Sequence, residues 1–203
     1  MPKHVDHQAR RAEISSATWR VIERGGIPAV TLRSVAAEAG ISLGVLAHYF
    51  TSKDDILQDA HRAAYDRTLE RVIERTRSLH GLQALRTSLL EALPLDDDRI
   101  LEARVDVALV GATVTDEAIR AARAESADTL RRLILGCLAE ARERGDLRPD
   151  TDDSLTADEC AVLIDGASVL GLLRVDDASI RNRLIALVDA FIARISPDRT
   201  DTP

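Results

Sequence analysis

Residues 31–53 read TLRSVAAEAGISLGVLAHYFTSK, and this stretch decides the fold of the chain around it. Thr31 and Ser42 are typical helix-capping residues, so each predicts the start of a helix. Gly40 predicts the end of the first helix, because a left-handed residue commonly follows the last helical turn. Two short helices joined by a turn that contains glycine form a helix-turn-helix pattern.

The second of these helices, over about 43–49, has two different faces. Leu46 and Phe50 are four residues apart, so we expect them to point into a small core. The opposite face carries small or apolar residues where a surface helix normally has Glu or Lys. An apolar residue such as Leu43 can contact thymine methyl groups in a DNA major groove. The alternative is an ordinary helical hairpin packed against other helices.

We predict that this stretch contacts DNA, with the second helix towards the bases and flanking polar residues towards phosphates. Arg33 can bind a guanine edge or two phosphate oxygens, although a solvated arginine is the alternative. His48, Tyr49 and Lys53 can reach phosphates, which fix position rather than sequence. The predicted DNA contacts are Thr31, Arg33, Ser42, Leu43, Gly44, Val45, Ala47, His48, Tyr49 and Lys53.

The pattern T-x-R-x-V-A-x-x-A-G-I-S-x-G-x-L-x-H-Y-F-x-x-K over residues 31–53 resembles the DNA-binding signature of the TetR family of transcriptional regulators. Its His-Tyr-Phe ending is similar to the BetI-like branch, and the resemblance is dense from residue 8 to about residue 62. It implies a DNA-binding head followed by a helical body that binds a ligand and forms a dimer. It also makes Arg10 and Arg11 weaker candidates for DNA contact.

Charge is distributed unevenly along the 203 residues, whose net charge is −7. Residues 1–53 carry seven basic and four acidic residues, whereas the remainder carries 20 basic and 30 acidic residues. DNA affinity depends on local neutralisation of phosphates, so the acidic remainder does not exclude DNA binding. A hydrophobic content of 45% with 30% charged residues indicates a globular protein rather than a disordered one.

Apolar periodicity predicts an all-α protein of about nine helices, without a convincing strand pattern. Capping boxes at Ser52–Asp55 and Thr156–Glu159 predict two of the helix starts. We assign residues 8–68 to a helix-turn-helix DNA-binding domain, with the motif at about 31–50. Residues 69–196 are assigned to a C-terminal ligand-binding and dimerisation domain. Residues 1–7 and 197–203 are expected to be flexible ends.

The last two helices, over about 156–173 and 177–195, have unusually wide apolar faces. One wall is expected to cover the body and the other to pair with a second copy, giving a homodimer through a four-helix interface. The alternative is that both walls are core within one chain. The residues predicted at the interface are Leu163, Gly166, Ala167, Leu170, Leu184, Val188 and Phe191.

The predicted function is a repressor that leaves a near-palindromic operator when a small-molecule effector binds in the body. Polar residues within apolar helical faces are the candidates for the pocket, namely His61, Tyr65, Arg104, Asp106, Thr113 and Asp165. Each of them has a satisfied buried polar group or a rim residue as its alternative. After residue 53 the chain has two aromatic residues, Tyr65 and Phe191, which argues against an aromatic cage for a quaternary ammonium ligand. An aliphatic, acyl or amphipathic effector is expected instead.

Other classes of protein find less support. We find no metal-spaced ligand set, phosphate-binding glycine loop or Ser-His-Asp arrangement, so we expect no enzyme, metal or cofactor. A helical protein–protein adaptor remains an alternative, which the salt dependence of binding would distinguish. Cys137 and Cys160 are predicted to be buried thiols, with a redox pair as the alternative. The first residues have no hydrophobic core that could act as a signal peptide, and no apolar run is long enough to cross a bilayer, so we expect a cytoplasmic protein without a membrane partner.

Overall fold

The structure is a computed structural model that describes residues 7–197. Over this range the chain forms nine α-helices and a short 3₁₀ turn, Gly111–Val114, and contains no β-strand. The helices are α1 (His7–Ala29), α2 (Leu32–Glu38), α3 (Leu43–Ala47), α4 (Lys53–Thr76), α5 (Gly81–Glu91), α6 (Asp97–Val110), α7 (Glu117–Glu143), α8 (Asp153–Leu173) and α9 (Ile180–Ile195). The predicted all-α fold is therefore confirmed. The expected flexible ends lie, apart from His7 and Pro197, outside the described residues.

Side-chain caps determine where several helices begin. At α4 the backbone N–H of Asp55 donates to Ser52 Oγ at 3.0 Å, and the N–H of Ser52 donates to the Asp55 carboxylate at 3.2 Å, which is the predicted capping box. The predicted start of α8 at Thr156 is wrong. Asp152 accepts a hydrogen bond from the N–H of Leu155 and starts the helix earlier, so Thr156 is buried inside α8.

The chain divides into two compact units. The first, here called the head unit, comprises Met1–Asp66 and Arg104–Arg123. The second, here called the body unit, comprises Arg67–Ala103 and Ala124–Pro203. Residues 104–123, which the sequence analysis assigned to the C-terminal domain, therefore group with the DNA-binding stretch.

The head unit has its own core of apolar side chains. Leu46 and Phe50 are almost completely buried, as predicted from their spacing. The Trp19 indole N–H donates to the carbonyl of Ala60 at 3.0 Å, so the buried ring keeps a partner for its polar group. Val105, Leu109 and Ile119 are also buried within this unit.

The body unit has its own core, built from α5, α7, α8 and α9. Its largest fully buried side chains are Leu85, Leu89, Leu93, Ile134, Leu138 and Leu184. Gly171 marks a close approach in α8, because an added Cβ would lie 2.7 Å from Pro94 Cγ and 3.2 Å from Leu184 Cδ1. A larger residue at 171 would therefore force this packing apart.

Candidate nucleic-acid interface

Helices α2 and α3 form the predicted helix-turn-helix, and local hydrogen bonds hold its ends. Thr31 Oγ1 accepts from the N–H of Ser34 at 3.0 Å at the start of α2. Gly40 has a φ of 66° in the turn, a conformation that favours glycine. Ser42 Oγ then accepts from the N–H of Val45 at 3.2 Å and starts α3. Each of the two cap hydrogen bonds joins residues only three positions apart, so the stretch itself determines the motif.

Helix α3 has one buried position and a broad exposed face. Leu46 is completely buried, whereas Leu43 is 45% and Val45 is 40% exposed. Gly44 and Ala47 are exposed as well, and no charged side chain lies between residues 42 and 47. The side chains predicted to meet base edges are therefore accessible.

The cations of the head unit differ in how far they are already paired. Arg24 and Arg20 both donate to Glu38, and these hydrogen bonds, first that of Arg24, lower the pKa of the Glu38 carboxyl. Arg33 is exposed at the start of α2 and has no ion pair among the residues that the structure describes. Its guanidinium is therefore available to an external partner.

The predicted phosphate contacts are placed differently from one another. Lys53 Nζ donates to the carbonyl of Ile27 at 2.8 Å, so this lysine also holds the end of α1. His48 is exposed, and Tyr49 is half-buried with the His7 ring 5.6 Å from its own ring centre. Their contacts with DNA stay predictions.

Arg11 has an internal role that the sequence analysis missed. Its guanidinium donates to the carbonyl of Tyr49 at 3.1 Å, lies 4.9 Å from the Phe50 ring centre and is 3.7 Å from the carboxylate of Asp59. Arg11 thus supports the end of α3 from α1. Nothing local in the sequence indicates a contact between residues 38 positions apart. Arg10 is paired with Glu13 on the same helix.

Two predicted pocket residues meet in a polar cluster of the head unit. Buried His61 on α4 has its Nδ1 3.4 Å from the carboxylate of Asp106 on α6. Arg123 on α7, which the sequence analysis did not select, donates to that carboxylate and, at 2.9 Å, to the backbone carbonyl of Asp106. Burial, followed by the charge of Arg123, lowers the pKa of His61 to about 4, so the imidazole is neutral at pH 7. Burial raises the pKa of Asp106, although Arg123 opposes the shift.

The structure places the remaining predicted pocket residues in several parts of the chain. Arg104 pairs with Glu23 at 3.2 Å, and Thr113 Oγ1 donates to the carbonyl of Val110 at 2.7 Å. Tyr65 is half-buried on α4. Asp165 is exposed on α8 and belongs to the body unit, whereas the other five belong to the head unit. Their roles in ligand binding stay predictions.

The residues predicted at the dimer interface lie mostly in the core of the body unit. Ala167, Leu184, Val188 and Phe191 are at most 6% exposed, and Leu163 and Leu170 pack against the same core. Of the seven predicted residues, Gly166 alone is exposed. We correct the prediction for the four buried residues, because a side chain already covered by its own chain cannot form a free surface.

The two cysteines also lie in the body unit. Both are free thiols, Cys160 buried and Cys137 half-buried. Burial raises the pKa of Cys137 to about 11 and that of Cys160 to about 12. The thiolate is the reactive form of cysteine, so these shifts favour the predicted buried thiols over a redox pair. None of the helices described here has an apolar stretch long enough to span a membrane.

Two short capped helices joined by a glycine turn on an all-α scaffold, with an exposed, uncharged face on the second helix, are typical of helix-turn-helix DNA-binding proteins. Comparisons with known proteins agree with this class. Residues 14–60 match the family described as bacterial regulatory proteins, tetR family, and residues 81–197 match the BetI-type transcriptional repressor, C-terminal family. The chain belongs to the TetR family, whose members are transcriptional regulators and not enzymes.

Individual relatives support the same assignment. The chain is 31% identical to the HTH-type transcriptional regulator PksA of Bacillus subtilis over 175 residues, which are 85% of this chain and 83% of PksA. It is 45% identical to the regulator BetI of Burkholderia cenocepacia (strain HI2424) over 62 residues, or 30% of this chain and 32% of BetI.

Solved structures show the same fold. A transcriptional regulator from Rhodococcus sp. Rha1 has a TM-score of 0.80 at 25% identity, covering 91% of this chain and 95% of its own. A regulator from Saccharomonospora viridis, solved in complex with choline, has a TM-score of 0.83 at 23% identity and covers 95% of this chain and 100% of its own.

Proposed function

We propose that the protein is a homodimeric repressor that binds a near-palindromic operator in double-stranded DNA and leaves it when a small-molecule effector binds. The observation that carries this proposal is the exposed, uncharged face of α3 beside Arg33. Regulators of this class read DNA by placing such a helix in the major groove. The direction of control, the dimer and the effector are what the proposal adds to the family assignment.

An exposed apolar stripe along α8 supports the dimer. Val162, Gly166, Val169 and Leu173 follow one another at spacings of four, three and four residues, so they share one face of the helix. Val162 is 73% and Leu173 is 78% exposed. A Cβ added to Gly166 would meet no atom within 4 Å, so a neighbouring helix can approach closely there. Exposed apolar patches of this kind commonly mark protein interfaces.

A two-fold axis through this stripe predicts an operator made of two inverted half-sites. Each copy of the chain would present one α3, and two-fold related helices read half-sites that are inverted relative to each other. The half-site centres are expected to lie about 34–36 Å apart, one turn of the duplex. Because its operator is genomic DNA, we place the protein in the cytoplasm.

The effector is proposed to be an aliphatic, acyl or amphipathic molecule rather than choline. Quaternary ammonium ions are commonly bound by several aromatic rings that face one cavity. Phe191, one of the two aromatic residues after residue 53, is buried in the core of the body unit, with the Arg194 guanidinium 5.1 Å from its ring centre. The effector must bind the DNA-free conformation more tightly than the DNA-bound one, since it can shift the equilibrium only by that difference.

Selection of bound duplexes from a random DNA pool tests the core of the proposal. The purified protein is expected to enrich an inverted repeat, and that repeat placed over a promoter should reduce transcription in a purified system. Enrichment of a single, unrepeated half-site would contradict the dimeric operator. No enrichment, even with protein refolded free of ligand, would contradict DNA reading by α3. Increased transcription would contradict repression.

The dimer can be tested by substitutions at the α8 stripe. A Val162→Arg and Leu173→Arg double variant is expected to sediment as a monomer and to lose the preference for paired half-sites. Ile73→Arg is the matched control, because Ile73 is 56% exposed on α4 in the body unit and lies outside the stripe. Equal effects of both changes would contradict an interface formed by the stripe.

A further inference from the structure

Gly44 occupies a position where nothing inside the chain requires glycine. It lies within α3, and an added Cβ would meet no atom closer than Ser42 Oγ, at 3.8 Å. Its φ is not positive, unlike that of Gly40 in the preceding turn. Glycine lowers the stability of a helix relative to alanine. Neither internal packing nor backbone conformation therefore accounts for glycine at this position.

The residues on either side of Gly44 show what kind of partner fits. Leu43 and Val45 expose 45% and 40% of their surfaces to solvent. Neither an amide nor a charged side chain occurs from residue 42 to residue 47, so this part of α3 cannot form the bidentate hydrogen bonds that identify adenine or guanine. The chemistry that it offers is apolar contact at short range.

Positive charge beside this apolar face identifies the partner as DNA. Arg33 is exposed and has no ion pair in the described part of the chain, and His48 is exposed at the end of α3. Residues 1–53 carry a net charge of +3, whereas the rest of the chain carries −10. An apolar strip flanked by cations is complementary to a major groove, where phosphates border the bases and the thymine methyl is the apolar group of the base edges.

We propose that α3 reads its half-site through the 5-methyl groups of thymine, with Gly44 as the point of closest approach and Leu43 and Val45 as the contacting side chains. This inference rests on the proposed operator binding, and it adds which chemical group of the operator is read. Hydrogen-bond readout is left to Arg33, at the start of α2. Half-sites are therefore expected to contain thymines opposite α3 and, where Arg33 reaches a base, a guanine.

Deoxyuridine separates methyl contact from every other property of thymine. In the selected operator, each thymine is replaced in turn by deoxyuridine, which keeps the base pair and its hydrogen bonds and removes the methyl. At the thymines that α3 contacts, the Kd is expected to rise about three- to fivefold per methyl, the size expected for one buried methyl group. Thymines outside the half-sites serve as the control. If no thymine of either half-site is sensitive, the inference is wrong, while the selected operator still supports the proposed function.

Combining a side-chain substitution with removal of a thymine methyl shows which residue contacts that methyl. If Leu43 touches one methyl, Leu43→Ala and removal of that methyl together should cost less than the sum of their separate effects. The corresponding test with Val45→Ala should identify a different thymine. Strict additivity at all thymines for both variants would overturn the assignment of these two side chains.

Gly44→Ala tests the close approach, and its effects on folding and on binding should have opposite signs. The melting temperature is expected to rise, since alanine favours helix, whereas DNA affinity falls about tenfold, as when one good base contact is lost. Gly136→Ala in α7 is the matched control, because an added Cβ there meets no atom within 4 Å. That variant should also melt higher while binding the operator normally. Unchanged binding by Gly44→Ala would overturn the close approach.

Discussion

Helices α3 and α8 both expose apolar side chains. A single buried residue determines which face of α3 is exposed, whereas the packing partners of α8 determine which of its faces is exposed. Helix α3 spans only Leu43–Ala47, has a serine cap and has one buried residue, Leu46. Helix α8 has 21 residues and is apolar around most of its circumference. One anchor is enough to orient a short helix. A long helix with two apolar sides can turn either of them inwards, so its packing partners decide which side remains at the surface.

The same contrast explains how each region uses its small residues. Gly44 in α3 has open space around it, whereas Gly171 in α8 lies against Pro94 and Leu184. Sequence shows a glycine in a helix in both cases. Only the structure distinguishes a glycine that faces an external partner from one that admits a neighbour in the core.

The largest effect is expected in α9, where core and surface alternate. Leu184→Ala should lower the free energy of unfolding by about 2–5 kcal/mol, because Leu184 is completely buried. Leu187→Ala is the matched control on the same helix, where Leu187 is 44% exposed. Urea denaturation at several protein concentrations measures both changes. The Leu184→Ala loss should not depend on concentration, whereas any Leu187→Ala loss should, if Leu187 contacts a second copy. Equal losses for the two variants would remove the contrast between core and surface in this region.

Two substitutions in the head unit should distinguish sequence specificity from overall affinity for DNA. Arg33→Ala is expected to weaken binding to the preferred operator by about 1–3 kcal/mol and to relax the preference at one base pair. Lys53→Ala should weaken binding to all sequences about equally and reduce the slope of affinity against salt by about one. Binding to a panel of single-base operator variants at two salt concentrations measures both. Circular dichroism of Lys53→Ala is needed as well, because Lys53 also bonds the Ile27 carbonyl.

His61 gives a prediction for pH. The unfolded chain protonates this residue near pH 6.5, whereas the folded chain does so near pH 4, because burial, followed by the charges of Arg123 and Arg62, outweighs the charge of Asp66. The neutral His61 imidazole therefore makes its full contribution to the free energy of unfolding above about pH 6.5. This contribution is lost as the pH falls towards 4, because the unfolded chain binds a proton at His61 that the folded chain does not. The slope should approach but not exceed about 1.4 kcal/mol per pH unit.

Urea denaturation between pH 7 and pH 5 measures this slope for the natural chain and for His61→Phe. The variant should lack the part of the slope that comes from His61. Asp106, which faces His61 and has a raised pKa, acts in the opposite sense and is present in both chains. Parallel curves would show that His61 titrates alike in the folded and unfolded states.

The smallest expected loss of stability comes from removing a helix cap in the head unit. Ser42→Ala should cost about 1 kcal/mol of stability, because Ser42 Oγ accepts from the N–H of Val45 at the start of α3. Ser179 precedes α9 but its side chain makes no capping bond to that helix, so Ser179→Ala should cost less. Thermal melts of the two variants at equal protein concentration make the comparison. A larger loss at Ser179 would contradict the assignment of the expected loss to the capping hydrogen bond of Ser42.

The features of the motif that could be predicted from the sequence are those held by local contacts. Thr31, Gly40 and Ser42 act on neighbours within a few residues, so the start, the turn and the second helix of the motif follow from their order. Arg11 and His61 show the opposite case. The contacts of Arg11 with Tyr49 and of His61 with Asp106 join residues 38 and 45 positions apart, and no local pattern announces them.

By itself, the sequence determined the all-α class, the helix-turn-helix, the exposed face of α3 and membership of the TetR family. The first three of these properties depend on caps, turns and periodicity, which act within about one or two helical turns. Tertiary structure alone decided that residues 104–123 join the head unit, that Leu184 and Phe191 face the core, and that Val162 and Leu173 stay exposed. The physical reason is that an apolar side chain gains by burial against any apolar surface, so periodicity shows which residues can be buried, and only the assembled core shows which are.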